Sequence, residues 1–140
     1  MMNEVYKKFG EASELAQLLE HELGTLLIRI LDVTPKFVTP KFVTTQPEMA
    51  WMLLDDVYTP ALRRFIRQQK GQHQEEQVMQ ALNESFKAQH GLHHGFFRIH
   101  HGSSETEMLE ALETVVMSLW QGYRSVMLLS GVDVDELLKS

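Results

Sequence analysis

Val5, Phe9, Ala12, Ala16, Leu19, Leu23, Leu26 and Ile30 recur at alternating spacings of four and three with no proline among them. That period is the seam of one α-helix from about Glu4 to Leu31, about 40 Å long at 1.5 Å per residue. A helix this long cannot bury its stripe alone, so the chain must supply other long helices to cover it. Leu15, Leu18, Leu27 and Leu31 widen the stripe and call for more than one neighbour. Gly24 weakens the helix without ending it, and Thr34-Pro35 ends it.

The rest of the chain supplies those neighbours. Pro47 suits the first turn of a helix carrying Trp51, Leu54 and Tyr58, and Thr59-Pro60 opens another carrying Leu62, Phe65 and Ile66. From Glu75, the positions Val78, Leu82, Phe86, Leu92, Phe96 and Ile99 keep near-helical spacing, with Gln89 filling the gap. The spacing predicts one helix from Glu75 to His100, on which Gly91 and Gly95 share a face and permit close backbone approach. Ser104 and Glu107 have capping-box spacing and restart the chain as a helix to Leu129, closed by Ser130-Gly131. Asp133 caps a short final turn through Leu137 and Leu138. The expectation is an all-α, antiparallel bundle of about five helices in a single domain spanning residues 1–140. Residues 32–46 form a Pro/Thr-rich loop in which the unit Thr-Pro-Lys-Phe-Val is written twice from Thr34.

Several function classes fall away. The chain has no cysteine, which removes disulfides, thiolate catalysis and zinc–thiolate sites. No apolar run approaches the length of a membrane span, the first residues lack a signal-peptide layout, and the expected compartment is the cytoplasm. A net charge of −6 disfavours a broad nucleic-acid face. One local exception is the stretch from Ala61 to Lys70, where Arg63, Arg64, Arg67 and Lys70 occur without an acid. Those residues are candidate phosphate contacts, or else a solvated face balancing acidic neighbours such as the four glutamates between Glu105 and Glu113.

Chemistry concentrates in one place. Five of the seven histidines lie between His90 and His101, around the pair Phe96-Phe97. Histidine titrates nearest neutral pH and serves both as metal ligand and as general acid or base. On a helix His90 and His94 stand one turn apart with His93 close by, so these three are the candidates for a metal. A closed site needs a third and fourth ligand. His21 is one donor the chain offers, and no spacing fixes its position. No metal or other cofactor is therefore assigned.

The run Ala88-Gln-His-Gly-Leu-His-His-Gly-Phe-Phe-Arg98 resembles a motif of the HEPN-type helical domains, the higher-eukaryote and prokaryote nucleotide-binding superfamily. That motif is an arginine, a polar residue, three further residues and a histidine, often followed by paired aromatics. Aligned on His94, the aromatic pair is Phe96-Phe97. The opening helix from Phe9 to Leu23 also resembles that of small bacterial members. The resemblance implies a helical bundle that forms a homodimer, with the two motifs facing one cleft. In members that cut RNA, the arginine is held to act on the phosphate and the histidine on proton transfer.

This sequence departs from the motif at its charged position, because the arginine falls on Gln89 and the polar residue on His90. Glutamine donates hydrogen bonds but brings no positive charge to a phosphate. Arg98 stands beyond His94 as a substitute in reversed order, and Arg67 with His73 repeats the spacing without the aromatic context. The resemblance, so altered, implies a HEPN-like binding or regulatory protein that has lost ribonuclease chemistry and works through a homodimer, a protein partner or RNA. Two alternatives stand beside it. One is an active ribonuclease toxin of a toxin–antitoxin or defence system, using His94 and Arg98. The other is a metal-binding bundle built on the histidines.

Overall fold

The structure, a computed structural model, describes residues 2–30, 59–69 and 75–139. Among the described residues it is helical, with no strand. The helices are α1 (Asn3–Ile30), α2 (Thr59–Gln68), α3 (Glu75–His93), α4 (Phe96–Ile99), α5 (Glu105–Leu129) and α6 (Val134–Lys139). The duplicated Thr-Pro-Lys-Phe-Val loop, the helix expected after Pro47, Lys70 and His73 all lie outside the described residues.

Three long helices make the frame. The α1 seam is buried at Val5, Ala12, Ala16, Leu19, Leu23 and Leu26, and Leu27 widens it as the sequence requires. Leu18 does not; it is exposed. Helix α5 packs against both α1 and α3, which touch each other less. One core cluster joins the later part of α1 to Leu62 and Ile66 of α2, Val78 and Leu82 of α3, and Leu119, Val126 and Leu129 of α5. A second joins Val5 and Ala12 to Leu92, Phe96, Met108 and Leu112. The pairing of ends shows that α3 runs against both α1 and α5, while α1 and α5 run parallel. Val115 packs against both clusters, so the core is continuous along the bundle.

The inward face of α3 differs from the expected one. Val78, Leu82, Ser85, Gln89, Leu92 and then Phe96 of α4 point inward, and Phe86 is 44% exposed. The seam keeps its four-three rhythm but takes two polar residues at its middle. Ser85 fits because α5 offers Gly122 opposite: a Cβ there would overlap Ser85 Oγ and stand 2.9 Å from Ser85 Cβ. The Ser85 hydroxyl can donate to the carbonyl of Ser118 across the interface or to that of Ala81 in its own helix, each 2.8 Å away. Close helix approach therefore occurs at Gly122, not at Gly91, which has open space where its Cβ would be.

The restarts are capped as the sequence predicts. Ser104 accepts from the Glu107 backbone N–H (3.1 Å), and the Glu107 carboxylate accepts from the Ser104 N–H (3.1 Å). Asp133 Oδ1 accepts from the Glu136 N–H (3.2 Å) and starts α6, which Arg124 ties to α5 through Asp135 (3.2 Å).

Candidate functional site

The histidine-rich stretch does not form one continuous helix. Helix α3 stops at His93, the chain turns at His94 and Gly95, and α4 restarts at Phe96. Gly95 has φ 126°, a conformation side chains with a Cβ rarely adopt. This corrects the expected Glu75–His100 helix, so Arg98 stands on α4 and not on the helix that carries His90. The turn re-aims the aromatic pair. Phe96 drops into the core beside Leu92 and Met108, and Phe97 stays 38% exposed. Both pack on Phe9 of α1, with ring centres 5.9 and 5.1 Å away, and Tyr6 adds an edge to Phe97 at 5.7 Å. The aromatics thus pin α4 to the first turns of α1.

The two positions that align with a phosphate-binding arginine and its histidine diverge. Gln89 is buried at 5% exposure, and its Oε1 has no hydrogen-bond partner among the described residues. His94 is exposed. Gln89 thus points into the core from α3, while His94 stands in the turn after that helix and faces solvent. His90 is the residue that meets His94. The His94 backbone N–H donates to the His90 carbonyl at 2.9 Å, and the rings stack with centres 4.4 Å apart. His93, His101 and Arg98 are exposed nearby, and His100 caps α4 with its ring 4.5 Å from Phe96.

The helix break leaves an open groove of about 350 Å³ between α3, α4 and α5, whose floor includes Leu92, Phe96 and Val115 and whose polar edge is Lys87, His100 and Thr114. Gly91 faces it, and Ile99, 69% exposed, stands at its rim. Sequence periodicity could not reveal this groove, because it exists only where Gly95 turns the chain.

The basic helix is largely answered by acids. Arg63 contacts Glu75 (3.0 Å) and Glu76 (2.7 Å), and Arg67 contacts Glu75 (3.2 Å). Glu76 and then Glu75 hold the Arg63 guanidinium even more firmly protonated than usual. Of the four candidate phosphate contacts, Arg63 and Arg67 are thus engaged at the start of α3, Arg64 is exposed, and Lys70 is outside the described residues. Exposed His21 belongs to α1, and among the described residues no three of His, Asp or Glu gather as a metal-holding group. No helix among the described residues is long and apolar enough to cross a membrane. No protein-family model matches the chain, nor does any curated protein or solved structure.

Proposed function

We propose that this chain is a HEPN-like helical binding or regulatory module that does not cleave RNA and acts through assembly, first of all with a second copy of itself. The observation that carries the reading is Gln89. At the position a ribonuclease of this kind would give to a phosphate-binding arginine, the chain has an uncharged side chain directed into the core. Positive charge at the transferred phosphate is a large part of such catalysis, and its loss costs orders of magnitude in rate. Arg63 and Arg67 of the basic helix α2 lie against glutamates at the start of α3.

Exposed apolar side chains around the helix break support the assembly half of the reading. Ile99 presents apolar surface at the rim of an apolar-floored groove, and Phe97 and Tyr6 add exposed apolar surface where α4 packs on α1. The test is direct. Purified protein is incubated with structured and single-stranded RNA beside a His94→Ala variant. Equal, background-level cleavage by both is expected. Strong cleavage by the wild type that vanishes in His94→Ala overturns the non-catalytic reading.

A further inference from the structure

We infer that His90 and His94 form an exposed two-imidazole site for a divalent transition cation of the zinc, nickel or copper class. Both side chains are exposed, so no desolvation opposes the approach of an ion and water can complete its coordination. The helical turn between them is intact, fixed by the 2.9 Å bond from the His94 N–H to the His90 carbonyl. Their rings lie side by side, 27° from parallel with centres 4.4 Å apart, so the two imidazoles reach the same volume, and both must turn before their in-plane lone pairs meet on one ion. A tetrahedral ion with metal–nitrogen bonds of about 2.0–2.1 Å needs its two nitrogens about 3.3 Å apart. Two exposed side chains one helical turn apart reach that spacing by changing rotamer, without moving the backbone.

The donor set selects the ion. Neutral imidazole favours zinc, copper and nickel over magnesium or calcium, which require oxygen ligands. Neither imidazole has a carboxylate partner within salt-bridge distance among the described residues, so no internal ligand has to be displaced. The site sits where α3 ends, so an ion bridging both rings fastens the last turn before Gly95. Phe86, one turn earlier, flanks His90 at 6.1 Å and makes the site one-sided, open toward solvent.

The experiment is calorimetric titration of zinc chloride, and separately of nickel chloride, into tag-free protein at neutral pH. Saturable binding in the micromolar range is expected, at one ion per chain. His90→Ala and His94→Ala each weaken it at least tenfold, whereas His101→Ala leaves it unchanged. Because both ligands are exposed, the variants keep the wild-type circular dichroism spectrum and melting profile in the absence of metal. One ion per two chains with the same dependence on both residues also supports the assignment, with the second copy's pair completing the shell. Absence of saturable binding, or binding that survives the double variant, overturns it.

Discussion

A buried amide with an unanswered oxygen is an expensive thing to keep in a core, and Gln89 is one. An unsatisfied buried acceptor costs about 1–3 kcal/mol. Gln89→Met keeps the unbranched shape and removes the polar atoms, so it is expected to leave stability unchanged or raise it by about 1 kcal/mol, measured by urea denaturation. Gln89→Arg, which restores the charged residue of the resembling motif, has the opposite effect. It places a cation in a buried position and is expected to cost roughly 3 kcal/mol or more, with no gain in RNA cleavage. A stable Gln89→Arg protein that cuts RNA would overturn this assignment of the side chain. The sequence registers Gln89 only as a gap in an apolar period. A seam through Phe86 and a seam through Ser85 both turn Gln89 inward; what the sequence does not decide is which of those two joins it, because only Gly122 on the opposite helix makes room for Ser85.

Two contacts hold the elements in place and can be tested separately. At the crossing of α3 and α5, Gly122 lets Ser85 reach the opposite helix, and any Cβ there overlaps the serine hydroxyl. Gly122→Ala is expected to destabilise the protein by about 1–3 kcal/mol despite alanine's better helix propensity, and Ser85→Ala in the same chain should recover part of the loss. The second contact is the cap of α5. The backbone N–H of Ser104, and then its hydroxyl, hold the Glu107 carboxyl below its ordinary value of 4.5. A depressed carboxylate stabilises the fold above the ordinary value and ceases to do so as pH falls through the folded one. Glu107→Gln keeps a hydrogen-bonding side chain but cannot titrate, so its melting temperature should fall less steeply on acidification than that of the wild type. Equal acid slopes would remove Glu107 from the pH response. The start of α1 and both ends of α5 are legible in the sequence because caps and seams are local. The break at Gly95 is not, because Leu92, Phe96 and Ile99 continue the helical spacing straight through it, and only a positive φ separates the two helices.

For the molecule as a whole, the decisive question is what covers the ground around α4. Ile99 is among the most exposed large apolar side chains of the described chain, at 69%, and it stands on a groove floored by Leu92, Phe96 and Val115. Burial of apolar surface yields about 25 cal/mol per Å², so a second copy seated here gains several kcal/mol before its association entropy is met. A homodimer is therefore expected at tens of micromolar by light scattering. Ile99→Glu puts a charge at the rim without touching the core, and it should shift the equilibrium toward monomer while the melting profile of a dilute sample is unchanged. Symmetry sharpens the expectation, since in a twofold dimer one substitution acts on both sides of the interface and its cost is counted twice. A wild-type protein that remains monomeric at that concentration removes self-assembly from the proposed function. A dimer indifferent to Ile99→Glu keeps self-assembly but moves its interface away from α4 and from the stacked histidines that precede it.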